Sequence, residues 1–141
     1  MTILVLPYPI SANRYWRSFV PKGWTRAVVH LSDEAKAYKT QVAWLARAAG
    51  FKEPTSKPIS LTLVLCPRRT NADGKVIGVT MDLSNCLKIA EDALQGIVYE
   101  NDRQVRELWL RYGEKTEKGQ LIVEIKEFIP APAPLFAEAA A

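Results

Sequence analysis

Apolar and polar positions change period several times along the chain, and each change marks an element. Residues 2–6 (Thr-Ile-Leu-Val-Leu) are a short apolar run ended by Pro7, which predicts a first strand. From Pro7 to His30 no period holds. Pro7, Pro9, Pro21 and Gly23 punctuate the stretch, so it reads as one long loop, a length usually tied to function. Ser32 followed by Asp33 and Glu34 has the form of a helix start, with a hydroxyl cap and acids in the first turn. Ala35, Tyr38, Val42, Leu45 and Ala49 recur at helical spacing, and Gly50 ends the run. Lys36, Lys39 and Arg47 lie off that stripe. Residues 59–66 (Ile-Ser-Leu-Thr-Leu-Val-Leu-Cys) alternate and then turn solidly apolar, which predicts a strand.

Asn71-Ala72-Asp73-Gly74 is a turn signal inside the 68–80 connection. At ~100° per residue, Leu83, Cys86, Leu87, Ala90 and Leu94 fall within an arc of about 100°. They predict a helix over residues 83–95, closed by Gly96. Asn85, Lys88 and Asp92 fall on roughly the opposite side, with Asp82 at the edge of that group. Residues 104–112 and 120–128 read as two strands joined by a turn from Gly113 to Gly119, most simply a hairpin. The order β-α-β-α-β-β predicts an α+β (α/β layered) single domain over residues 1–129, with a mixed sheet and two main helices. Residues 130–141 form a Pro/Ala-rich C-terminal tail of extended character. Leu135-Phe136 in it reads either as an anchor for a replication or recombination partner, or as part of a disordered end or an arm on a neighbouring subunit.

Composition narrows the class. At 141 residues with 48% apolar content, one domain with a real core is expected. No run of about 18 apolar residues exists, so no membrane span is expected. The N-terminus lacks a basic n-region and reads as a strand, which predicts a cytoplasmic protein without a signal peptide. Cys66 and Cys86 sit at apolar positions and read as core thiols, and His30 reads as a structural loop residue. No zinc signature is present. The net charge of +4 is compatible with nucleic acid. Its distribution says more. Arg14, Arg17, Lys22 and Arg26 alternate with Tyr15, Trp16, Phe19 and Trp24. Cations suit phosphates and aromatic rings stack on unpaired bases; the bland reading is a solvated loop whose aromatics cover the core. Arg68, Arg69 and Lys75 form a second cluster just upstream of Asp82.

The candidate chemistry lies in Asp82, Asn85 and Lys88 around one helix start, with Asp102 returned from the next loop. Each has a bland reading: Asp82 as an N-cap, Asp102 as a turn residue, Lys88 as a surface lysine and Asp92 as a solvated helix residue. Grouped together on a basic protein, they point to a metal site that acts on phosphate.

The same residues carry a resemblance. Asp82-Leu83-Ser84-Asn85-Cys86-Leu87-Lys88, then Asp92-Ala93-Leu94, Gly96 and Asn101-Asp102-Arg103-Gln104-Val105, together with Leu6-Pro7-Tyr8-Pro9 and Asn13-Arg14-Tyr15, resemble the RusA family of Holliday-junction resolvases. The likeness spans roughly residues 3–126. It implies a magnesium- or manganese-dependent endodeoxyribonuclease, a homodimer making paired nicks in four-way junction DNA during recombination and repair, of phage or prophage type. By the same resemblance Asp82, Asp102, Lys88 and Asn85 are catalytic, Asp82 and Asp102 bind metal, and Asn13, Arg14 and Tyr15 shape the DNA surface; the basic clusters add Arg17, Arg68, Arg69 and Lys75 as DNA-binding candidates. One position departs from the family pattern: Ser84 stands where the second acid is expected. A hydroxyl is a poorer magnesium ligand than a carboxylate. Three outcomes follow. Asp92, Glu100 or Asp73 substitutes, with Ser84 itself a weak ligand; or the site cuts slowly; or the protein binds junctions or single-stranded DNA without cutting.

Overall fold

The computed structural model describes residues 2–70, 75 and 81–132. The turn signal at 71–74, Asp73 with it, and the tail motif Leu135-Phe136 lie outside the described residues. A four-stranded sheet carries the fold. Its strands are β1 (Thr2–Pro7), β4 (Ile59–Cys66), β5 (Val105–Tyr112) and β6 (Gln120–Glu127), in spatial order β1-β6-β4-β5. Strand β6 runs antiparallel to both β1 and β4, whereas β5 runs parallel to β4. The fold is therefore α+β with a mixed sheet, as the pattern predicts.

The alternation of each strand decides which face is buried. Leu4 and Leu6, then Leu121, Val123 and Ile125, then Ile59, Leu61, Leu63 and Leu65 line one face of the sheet in register. Helices α2 (Asp33–Ala48) and α3 (Leu83–Leu94) close over that face with Ala35, Tyr38, Val42, Cys86, Ile89, Ala90, Ala93 and Leu94. Ser32 caps α2 by accepting the Ala35 N–H at 3.1 Å, as the sequence predicts. Cys66 and Cys86 are free buried thiols. Among the described residues, no helix is long and apolar enough to cross a membrane.

Two expectations need correction. Residues 7–30 are not one loop. They hold a short helix α1 (Ala12–Tyr15) and two strands, β2 (Trp16–Phe19) and β3 (Val28–Leu31), paired as a separate antiparallel hairpin. The prolines and Gly23 that argue for a loop sit before, after or between these strands, and each strand is only four residues long. His30 accordingly lies on an exposed strand. Secondly, β5 and β6 are not a hairpin, because β4 lies between them. The 113–119 segment crosses the end of β4 instead, with the Thr116 N–H donating to Pro67 O at 2.9 Å and the Arg69 N–H donating to Thr116 O at 3.0 Å. Gly113 permits that crossing: a Cβ there would sit 2.7 Å from Val64 Cγ1 and 2.9 Å from Cys66 Sγ.

Candidate active site

Helix α3 builds the site. Asp82 is its N-cap. One carboxylate oxygen accepts the Asn85 backbone N–H at 2.8 Å and the other accepts the Asn85 side-chain amide at 3.0 Å. Asn85 thus locks the aspartate at the helix start, where backbone N–H groups add positive potential. The structural reading of Asp82 as a cap holds, and the residue remains exposed.

The buried arc of α3 is wider than the sequence predicts and is rotated. Ile89 and Ala93 join Cys86, Ala90 and Leu94 in the core, while Leu83 and Leu87 are only partly buried. The open face shifts accordingly. Ser84, Lys88, Glu91 and Gln95 follow one another at spacings of four, three and four residues, a single stripe along the helix. Ser84 therefore heads the same stripe as Lys88.

Asp102 opens a short 3-10 turn (Asp102–Gln104) just before β5, and Asn101 caps that turn by accepting the Arg103 N–H at 2.9 Å. The turn lies against the far half of α3. Trp16, Lys88, Glu91, Asp92, Gln95 and Asp102 line one cleft of about 270 Å³. Glu91 has its carboxyl raised above the ordinary range, first by burial and then by the Asp102 charge. The phenol of Tyr99 is raised as well, first by burial and then by Glu91, Asp102 and Asp92. These acids share one negative field with Lys88 at its edge.

Lys88 and Asp102 are thus brought together, and Asp82 is not part of their cleft. Glu91 follows Asp82 by nine residues, about 13 Å of helix rise. The other end of β5 lies by Asp82 instead, where the Tyr112 hydroxyl donates to Met81 O at 2.9 Å. Among the described residues, no group of three or more His, Cys, Asp or Glu side chains is close enough to hold a metal ion.

Asp92 is occupied. It accepts the Tyr15 hydroxyl and pairs with Lys39 Nζ at 3.6 Å through the same oxygen. This corrects the expectation for Tyr15, which is fully buried and cannot face DNA. Its ring instead pins the start of β2 onto α3. Asn13, Arg14 and Arg17 are exposed, and Arg14 pairs with Glu34 at 2.6 Å. Arg68 and Arg69 are exposed at the end of β4, and Lys75 is exposed in the following connection. Arg68 lies 4.4 Å above the Tyr8 ring, and the Tyr8 hydroxyl accepts the Met81 N–H at 3.2 Å. Arg68 is therefore tied to the residue preceding Asp82.

Sequence reasoning missed Glu91. It sits beside Asp92, and its membership of the open stripe follows only once the buried arc is fixed by Ile89 and Ala93.

A small α+β protein that sets acids and a lysine in one cleft against a helix, and exposes further basic side chains elsewhere on its surface, is of a class equipped to act on a phosphate backbone. The family model for endodeoxyribonuclease RusA matches residues 7–126, and the chain belongs to that family. Its members are endodeoxyribonucleases that resolve Holliday junctions, with four-way junction DNA as substrate. Comparison with curated proteins gave no match.

Proposed function

We propose that the chain is a divalent-metal-dependent resolvase that acts as a homodimer and cuts four-way junctions by paired nicks. The observation that carries this reading is the crowding of Glu91 and Asp102 beside Lys88 in one cleft. A partly buried carboxyl whose ionisation is made costlier by a neighbouring carboxylate is a donor that a hard cation relieves. Magnesium or manganese would be held by Asp102 with Glu91, and Asp82 is the further ligand that the family pattern calls for. Such an ion, when bound, supplies a water of lowered pKa and neutralises charge on the phosphate. The chain's own residues do the rest. Lys88 sets a cation against the phosphodiester. Asn85 positions Asp82. Arg17, Arg68, Arg69 and Lys75 meet the backbone phosphates on either side, with Asn13 and Arg14 at the foot of β2.

The homodimer has a geometric role in this reading. Asp82 and Ser84 occupy one end of the α3 stripe, and Glu91 and Asp102 the other. A two-fold axis that lays two such stripes antiparallel puts the start of one beside the cleft of its partner. Two equivalent composite sites then face the two equivalent strands of a junction.

A second reading rests on Ser84, which is exposed on that stripe with a hydroxyl where the family expects a carboxylate. In it, the protein binds junctions and cuts slowly or not at all. Cleavage of a synthetic four-way junction, with and without magnesium or manganese, by the wild type and by Ser84→Asp separates the two. Metal-dependent nicks by the wild type, lost in Asp82→Asn and Asp102→Asn, support the first reading. Cutting only by Ser84→Asp supports the second. Metal-independent cutting, or equal cutting by the wild type and both Asn variants, refutes the assigned site.

A further inference from the structure

The β2–β3 hairpin stands apart from the main sheet. It is attached at its root, where Tyr15 reaches Asp92 and Trp16 lines the acid cleft. Beyond the root it is open on both sides, with Phe19 at 49%, Val20 at 57%, Trp24 at 61% and Val29 at 65% exposure. A two-stranded ribbon with no cover is marginal in water, so this exposed apolar surface calls for an occupant. The tip is a tight turn: the Trp24 N–H donates to Pro21 O at 2.9 Å, and Gly23 takes φ +83°. Lys22 is therefore held at the apex with Trp24 just behind it.

Charge identifies the occupant. Residues 1–32 contain no Asp or Glu, and they hold Arg14, Arg17, Lys22 and Arg26, which match the whole formal net charge of +4. The remaining 15 Lys and Arg are balanced by 15 Asp and Glu. A surface both cationic and aromatic suits a polyanion with exposed ring faces, which is nucleic acid where base stacking is interrupted. A second copy of the chain would bring the same cations against themselves.

We infer that this hairpin is a branch-reading arm: Lys22 and Arg26 grip phosphates, while Trp24 and Phe19 press against the bases exposed at the centre of a junction. Apolar wedges between base steps are a known way for proteins to hold distorted DNA. The arm rises from the wall of the acid cleft, so engaging the branch point fixes which phosphates reach Lys88. Selectivity for branched DNA then resides in the arm, and scission in α3. This inference rests on the resolvase reading above and assigns junction recognition to residues outside its proposed metal site.

The test measures binding in EDTA, so that no cutting is needed. The probes are a four-way junction carrying 2-aminopurine at the branch and a linear duplex of the same arm sequences. Wild type should prefer the junction and change the 2-aminopurine fluorescence. Trp24→Ala, at a position 61% exposed, should weaken junction binding about tenfold, leave duplex binding unchanged and lose the fluorescence change, with an unchanged circular-dichroism spectrum to show that the variant is folded. The pair Lys22→Ala and Arg26→Ala should weaken both substrates and lower the salt slope by about two. The inference is overturned if Trp24→Ala binds the junction like wild type, or if it converts a dimer to monomers by light scattering, which would make the arm a subunit contact. A wild type with no preference for junctions sinks the resolvase reading together with the arm. A wild type with that preference, retained in Trp24→Ala, sinks the arm alone.

Discussion

If the cutting site is shared between two subunits, two dead chains can make one live site. Two carboxylate oxygens on one magnesium ion, each at about 2.1 Å, lie within about 4 Å of each other. Asp82 starts α3, whereas the Asp102 cleft is lined by Glu91, about 13 Å further along the helix axis. An aspartate side chain does not span that gap, and the Asp82 carboxylate is also held in place by Asn85. Asp82→Asn and Asp102→Asn should each lose charge stabilisation worth several kcal/mol, on the order of a hundredfold or more in rate. A heterodimer purified through two different tags, with one Asp82→Asn chain and one Asp102→Asn chain, has one intact shared site and one site broken at both positions. It should recover about half the wild-type nicking rate per dimer, producing singly nicked junctions and almost no resolved duplexes. The assay is run in the natural and Ser84→Asp backgrounds, with denaturing gels to count nicks per strand. Were both aspartates to serve one site within a chain, every site in the heterodimer would carry one lesion. A purified heterodimer as inert as its two parents therefore refutes the shared site.

Other consequences are simpler to check. Tyr15→Phe leaves Asp92 with Lys39 alone; losing a hydrogen bond to a charged group should cost about 1.5–3 kcal/mol and lower Tm by roughly 5–10 °C, and an unchanged Tm in thermal melts would show that the contact contributes nothing. Burial and the Asp102 charge raise the Glu91 carboxyl, so the folded chain binds that proton more tightly than the unfolded one. Stability is then lost as pH rises from the unfolded value of about 4.3 through the raised folded value. Glu91→Gln should melt no lower than wild type at neutral pH, and magnesium should raise Tm at neutral pH in wild type but not in the variant; equal magnesium shifts in both would remove Glu91 from the ion's ligands. Burial pushes the Cys86 thiol up to about 12, so it should react with a thiol reagent only on unfolding, and prompt labelling of the native protein at Cys86, read by peptide mapping, would contradict the packing.

Much of the frame was legible because local signals agreed with tertiary ones. Strand β4 is apolar almost throughout, as a strand flanked on both edges should be, and its observed limits of Ile59–Cys66 match the run. Ser32 and Asp82 cap their helices as short polar side chains do. Two things were not legible. The β2 and β3 strands are too short for a period to register, and only Val28-Val29 hints at β structure. The position of β5 depends on non-local pairing, yet its composition fits an edge: Arg106, Glu107 and Arg111 sit on it, and Leu108 and Trp109 remain exposed. Strand β6 buries Leu121, Val123 and Ile125, which suits an interior place. A connection of seven residues fits either order, so the pattern alone could not reject the hairpin.

The site was half legible for a related reason. Motif order offered Asp82, Asn85, Lys88 and Asp102 as candidates, since they follow the pattern that the sequence resembles. It could not reveal which of them meet, because that depends on the direction of α3 relative to the sheet. Strand β5 lies parallel to β4, so the chain leaving β4 must return along α3 before β5 begins. That return carries Asp102 back to the far half of the helix, beside Glu91, and leaves Asp82 at the opposite end near Tyr112. The β-α-β connection that makes the sheet mixed therefore also separates the two aspartates. In the proposed reading, two equivalent cuts and a complete ligand set make the same demand, a second copy of the chain, and the mixed heterodimer is the measurement that decides it.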